Sequence, residues 1–484
     1  MKKPIVDLHC HPAMKPLGKS FMRKYVTGQN NPNTDEENSI WHQHRPKLFR
    51  RAANVLLSLT KWRQSDMNTL VQGNNRIIVA SLYPLEKGMV IHHDAEDIKF
   101  AGRLLRNLAT GIGMRRIRHL QQMKDYFTDL EAEYDFYRQM HGKTVTINDK
   151  EKTYKMIAQS SDLVLDDENC VNVIMSIEGA HVFNCGLEKR EGIPTDREEV
   201  LQNLQKVKNW EYRPLFIGIA HHFDNGLCGF AESFSGIVAK QMKQADDPDQ
   251  GFSDLGIQVV LDMLDNSEGK RILPDIKHMN PKSRYEYYEL LKEKFPDENI
   301  PIVVSHGALN GKLRYKTHDY VSKRGFNEKD INFFFDELLL IEKSKGIFGI
   351  QLDERRIFDV KMKREILNEA RKNMNRYGKR HLRHNAYFIW RQIETIAVYL
   401  DNLGHNAWSI QALGTDYDGI INPLNGWWTS KELKDLDQYL MHHALDFLSS
   451  EQGQSLREFN KLSAEEIVEK FMSTNALDFI QRNF

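Results

Sequence analysis

Cysteine is scarce in this chain, with four among 484 residues, and Cys10, Cys170, Cys185 and Cys228 form no C-x-x-C pair and no regular ladder. That spacing excludes a disulfide-stapled scaffold and a structural zinc finger, and it predicts free thiols in a reducing compartment. Long hydrophobic runs are missing too. No stretch of 18 apolar residues occurs, and Met1-Lys-Lys-Pro4 leads into the chain without an apolar signal region, so the expectation is a soluble cytoplasmic protein with no membrane partner. Net charge is absent, Lys+Arg and Asp+Glu standing at 67 each. With no global positive field, neither nucleic acid nor a polyanionic substrate is expected as a partner. Internal repeats and low-complexity tails are also lacking.

What the chain does have is a series of short apolar runs separated by amphipathic stretches, the pattern of parallel βα units. Eight strands are predicted, at about 4–10, 76–82, 172–178, 214–221, 271–277, 301–306, 347–352 and 410–416. The expected fold is α/β, a (β/α)8 TIM barrel, spanning 1–484 as one domain. Two connections, 18–75 and 84–170, far exceed usual loop lengths and must carry helices of their own; the stretch Asp94 to His141 reads helical. Following strands one and two, both insertions are expected on the C-terminal face, where lids and specificity loops sit. Gly18 to Asn38, rich in Asn, Gly, Lys and Thr, reads as a loop that serves either as a lid or as a passive insertion. Ser463 to Phe484 reads as an amphipathic helix packed on the barrel.

The first strand, Pro4-Ile-Val-Asp-Leu-His-Cys-His11, ends in two imidazoles, and alternation puts Asp7, His9 and His11 on one face with Val6, Leu8 and Cys10 on the other. Later strand ends add Glu178, His221 with His222, His278, His306 and Asp416. No one of these is specific alone: Glu178 also fits a loop carboxylate, His306 a helix cap and Asp416 a turn. Their conjunction in barrel order points to a metal site, because imidazoles and carboxylates suit Zn²⁺ and related ions. Two ions sharing a water would make hydroxide available at neutral pH and polarise a scissile carbonyl. No lysine stands at the end of strand four to form a bridge, which leaves Glu178 for that place. His42, His44, His92, His93, His442 and His443 fall in predicted loops or helices and read as solvated.

Taken together, Val6-Asp-Leu-His-Cys-His11, Ser176-Ile-Glu-Gly179, Ile219-Ala-His-His222, Asp275-Ile-Lys-His278, Pro301-Ile-Val-Val-Ser-His306 and Leu413-Gly-Thr-Asp-Tyr-Asp-Gly419 resemble the membrane dipeptidase (renal dipeptidase) family of the amidohydrolase superfamily. The resemblance implies two zinc ions bridged by Glu178 and a water or hydroxide, one held by His9, His11 and Glu178 and the other by Glu178, His278 and His306. It further implies that His221 stabilises the tetrahedral intermediate, that Asp416 moves the proton from water to the leaving amine, and that Arg324 binds the substrate carboxylate, with Lys323 and Arg314 as alternatives. Two positions depart from the family: His11 stands for its Asp, making the site less negative, and His222 stands for its Asn. The long insertions match the family poorly.

The function expected from these residues is a zinc-dependent hydrolase that cleaves the amide of a dipeptide or an N-acyl amino acid. Two rivals stand beside it: a metal-dependent phosphodiesterase or deoxyribonuclease, disfavoured by the neutral charge balance, and a non-catalytic barrel scaffold, disfavoured by the full ligand set. Trp427 and Trp428 read either as packing residues or as a pocket wall. A homodimer is compatible with the sequence, which does not choose an oligomeric state.

Overall fold

The computed structural model describes residues 3–44, 62–91, 100–234, 244, 247, 249–322, 324–359, 361–362, 364–365, 368 and 380–484. Ten strands follow in chain order among these residues: β1 (Ile5–Cys10), β2 (Asn75–Leu82), β3 (Val145–Ile147), β4 (Lys150–Met156), β5 (Cys170–Ile177), β6 (Phe216–Gly218), β7 (Leu273–Asp275), β8 (Val303–Gly307), β9 (Ile347–Ile350) and β10 (Gln411–Leu413). Eight of them run in parallel in the order β2-β1-β10-β9-β8-β7-β6-β5, and the β2–β5 pairing, from Ile77 opposite Asn172 to Leu82 opposite Ile177, closes the ring. This is a (β/α)8 barrel, and all eight predicted strands are present. Both faces of each strand are covered, which is why β1, β2 and β5 are buried at every residue and why Val and Ile crowd them.

The barrel narrows beneath its mouth at Ser305, Gly349 and Gly414. A Cβ on Gly349 would lie 2.0 Å from the Ser305 carbonyl oxygen and one on Gly414 2.1 Å from it, so only glycine lets β8, β9 and β10 approach there. One buried carboxylate fastens β1 to β10: Asp7 accepts from the Thr415 amide at 2.9 Å and from its hydroxyl at 2.6 Å.

The predicted helices of the second insertion are α1 (Phe100–Thr110), α2 (Met114–Gln122) and α3 (Tyr126–Arg138). Apolar residues just past the ends of β1, β2, β5 and β6, among them Met14, Tyr83, Leu85, Leu187 and Phe223, form with Ile117, Leu120 and Tyr126 a second core apart from the main one. The insertion also holds the β3–β4 hairpin, which the helical reading passed over. Asn148 and Asp149 supply the two positive φ values, 53° and 59°, that its tight turn needs. β4 pairs with β5 between Thr153–Cys170 and Met156–Val173, so the insertion runs down to the N-terminal half of β5 instead of staying on the C-terminal face.

In the first insertion, Asn30 binds the Phe136 carbonyl and accepts from the Ile40 amide, tying the Asn-rich stretch to α3. The last stretch is helical from Ala464 to Asn483 with one wider turn at Lys470–Thr474, and Ser463 caps it through the Glu466 amide. Trp427 is buried against Tyr439, a packing role. All four cysteines are free and buried. His443 is buried, not solvated, its Nε2 donating to the Arg383 carbonyl. No helix is long and apolar enough to cross a membrane among the described residues.

Candidate metal centre

Glu178 stands at the middle of the barrel mouth, directly after β5. Five imidazole Nε2 atoms lie around its two oxygens: His11 at 3.1 Å, His278 at 3.3 Å, His9 at 3.4 Å, His221 at 3.5 Å and His306 at 3.6 Å. Asp416 completes the group, 3.7 Å from His11 and 3.9 Å from His306. Seven of the eight site residues read from the sequence are therefore gathered here. Arg324 is not: its side chain is 77% exposed and pairs with Glu365 at 3.2 Å. Among its alternatives, Lys323 lies outside the described residues.

Alternation explains some of these side chains and not others. His9 lies within β1 and His306 within β8, as predicted. β6, β7 and β10 are shorter than the sequence suggests, so His221, His278 and Asp416 sit beyond the strand ends. His278 and Asp416 turn into the mouth through left-handed backbone, φ 69° and 61°. Such conformations are uncommon for non-glycine residues and cluster where a site demands them. Of the adjacent pair, His221 reaches Glu178. His222 stacks on it with centroids 3.7 Å apart and pairs with Ser233 at 2.7 Å.

Three rings are held by outer partners. His11 Nδ1 donates to the Ser81 carbonyl at 3.1 Å. His221 Nδ1 is 2.8 Å from Glu86. His306 Nδ1 is 2.9 Å from Ser305 Oγ, which in turn donates to Asp275 at 2.5 Å. With Nδ1 carrying the proton, the Nε2 of His11 and that of His306 present lone pairs to the centre, the arrangement that metal-ligating histidines need.

The electrostatics fit a cation. Burial holds His9 down at about 4 and drives His278 and His306 well below the usual imidazole range. Burial opposes ionisation of Glu178, yet the surrounding histidines outweigh it and hold the carboxyl well below its ordinary value. Asp416 moves the other way: burial, then the charge of Glu178, raises it well above the carboxylate norm. Among the described residues, neither His278 Nδ1 nor His9 Nδ1 has a hydrogen-bond partner, and the Nε2 atoms of His9 and His11 lie 3.1 Å apart. At that distance the two nitrogens share either a proton or a positive ion. Two ligand sets, His9–His11–Glu178 and Glu178–His278–His306, each have donor atoms within 4.8 Å of one another, and His9–His306–Asp416 and His221–His222–His278 form two more.

Sequence reasoning missed Glu86, Glu133 and Lys277. Glu86 bonds not only His221 but the amides of His222 and Phe223. Glu133 accepts from the Tyr83 amide at 2.9 Å, and burial raises it to about 7. Lys277 is buried beside His278 with no hydrogen bond to its Nζ among the described residues, and burial lowers it to about 7. Glu86 and Glu133 belong to the second insertion, where no periodicity marks them. Lys277 stood in plain view, inside the Asp-x-x-His segment.

No protein-family model and no curated protein matches the chain. Among solved structures, it matches a probable dipeptidase, PvdM, from Pseudomonas aeruginosa at 13% identity, over 87% of this chain and 90% of that one, with a TM-score of 0.49. It matches a metallopeptidase from Rhodobacter sphaeroides, liganded with a phosphinate mimic of L-Ala-D-Ala, at 14% identity over 100% and 99% of the two chains, with a TM-score of 0.47. A third, an amidohydrolase from Pseudomonas aeruginosa, is 13% identical over 86% and 91%, with a TM-score of 0.42.

Proposed function

We propose that the chain is a metal-dependent hydrolase that cleaves the amide bond of a dipeptide or an N-acyl amino acid. The observation that carries this reading is the ring of five imidazole Nε2 atoms within 3.6 Å of Glu178. A scaffold gains nothing from five buried imidazoles crowded on one carboxylate, a polar cluster that costs stability unless something binds it.

His9 and His11 would hold one divalent ion, His278 and His306 a second, and Glu178 both, with zinc the ion best suited to this donor set. When bound, such ions supply Lewis acidity and lower the pKa of water toward neutrality. The chain's own groups do the rest. His221, its Nδ1–H held by Glu86, aims Nε2 at the centre, where the ring in its doubly protonated form would donate to oxyanion charge developing on the substrate carbonyl. Asp416 would take a proton from water and return it to the leaving amine, a duty that suits a carboxyl whose pKa is raised.

The test is metal content per chain on native protein, combined with hydrolysis of a broad dipeptide panel, including D-residues at the C-terminal position, before and after chelation. Near two ions per chain with chelator-sensitive cleavage is the expected result. Metal-loaded protein that cleaves no dipeptide, or that prefers bis-p-nitrophenyl phosphate, would overturn the reading.

A further inference from the structure

Asp416 reaches the centre on a stretch of backbone that does not hold itself. Asp416, Asp418 and Ile420 take left-handed φ values of 61°, 68° and 65°, and Ile420 is β-branched. Three such residues in so short a loop persist only where their surroundings fix them. Part of the fixing is local. The Asp416 amide donates to the His9 carbonyl at 2.9 Å, and Gly419 leaves room for the Asp416 carboxylate, because a Cβ there would stand 1.9 Å from Oδ1. The rest comes through Asp418, which is 1% exposed. Its carboxylate accepts from Lys15 Nζ at 2.5 Å, from the Gln64 and Ser65 amides at 3.0 and 2.9 Å, and from Ser65 Oγ at 2.8 Å. Its amide donates to Gln64 Oε1 at 3.1 Å. Lys15, in the helix Met14–Ser20 that follows β1, also donates to the Trp62 carbonyl at 2.9 Å, and Gln64 Nε2 donates to the Trp428 carbonyl at 3.0 Å. The turn after β1 and residues 62–65 of the first insertion are thereby fastened to the loop after β10. An apolar contact of the same size would match a buried ion pair for stability, but a fully satisfied polar network also specifies one geometry.

We propose that Asp418, held by Lys15 and Ser65, is a positioning residue for Asp416, and that the first insertion is the brace that keeps the proton-carrying carboxylate at the barrel mouth. This rests on the hydrolase reading above and goes beyond it by giving the first insertion a part in the chemistry. Asp418 touches neither the centre nor the substrate; it acts through the backbone two residues away. A carboxylate shifted by about 1 Å from the proton it moves loses rate, while binding of the substrate by other groups is left in place.

The test is a double-mutant cycle on the metal-loaded enzyme, with Asp418→Asn, Ser65→Ala and Asp416→Asn singly and each of the first two combined with the third. Asp418→Asn should lower kcat by about 10- to 100-fold, with KM and metal content little changed. Ser65→Ala strands no charge and should give a smaller loss of the same kind; it carries the comparison if Asp418→Asn does not fold. In the Asp416→Asn background neither change should lower kcat further, because no proton-carrying group remains to be misplaced. Losses that add in that background, a rise in KM with loss of metal, or full activity of both single variants would overturn the proposal while leaving the hydrolase reading standing. If the native chain cleaves no dipeptide, hydrogen exchange on the full-length protein decides. Faster exchange of the amides of 414–420 and 62–66 in Asp418→Asn, with other segments unchanged, would uphold the placement of Asp416 by Asp418 even though the hydrolase reading had failed; unchanged exchange there would end both.

Discussion

Glu86 accepts a hydrogen bond from His221 Nδ1 at 2.8 Å, across 135 positions of sequence, and the other nitrogen of that ring lies 3.5 Å from Glu178. Burial alone would raise Glu86, yet His221 more than compensates and the carboxyl is held near 2. It is thus ionised throughout the neutral range and holds the ring through its Nδ1 proton.

Glu86→Gln should therefore lower kcat by about 10- to 100-fold, the range for loss of a partner that orients a site histidine. Metal content should be unchanged, because Glu86 touches none of the four proposed metal-holding imidazoles. Steady-state kinetics with elemental analysis checks both; a fall in metal content would mean that His221 is itself a ligand.

Asp416→Asn keeps the shape of the side chain and removes its ability to carry a proton. The expected outcome is a kcat lower by about 10²- to 10⁴-fold with metal retained. An active Asp416→Asn enzyme would assign proton transfer to another group.

Removing the metal should loosen the barrel mouth. An ion that binds the folded chain only stabilises it by mass action, about 2.7 kcal/mol at one hundred times Kd. Chelation should thus lower Tm reversibly, and His278→Ala together with His306→Ala should abolish one ion per chain and the matching share of that shift. Differential scanning calorimetry with and without chelator reads this out. An unchanged Tm would argue that the histidines hold no ion.

Arg116 and Asp129 form a buried pair with two bonds of 2.6 and 2.5 Å inside the second insertion. Burial opposes the Asp129 charge, but Arg116 and then His119 prevail and lower the carboxyl to about 2. A depressed carboxyl contributes stability that is complete above its unfolded value near 3.8 and is lost as pH falls from there toward 2. Limited proteolysis of the insertion should accelerate across that window in the native chain. In Asp129→Asn it should already be fast at pH 7, since Arg116 is left buried without its partner.

The sequence by itself determined the barrel, because a strand covered on both faces must be apolar along its length and eight such runs are visible. It also determined the donors that lie within or directly beside a strand, His9, His11, Glu178 and His306, since alternation fixes their direction. Tertiary structure alone decided the rest. His278 and Asp416 enter the mouth through left-handed backbone, which the surrounding packing imposes and no periodicity records. Glu86, Glu133 and the Arg116–Asp129 pair come from an insertion whose course is set by long-range contacts. The placement of Arg324 at the surface and of Lys277 in the interior follows the same rule: a cation's sequence position shows that it is charged, and only the fold decides whether water or the protein interior surrounds that charge.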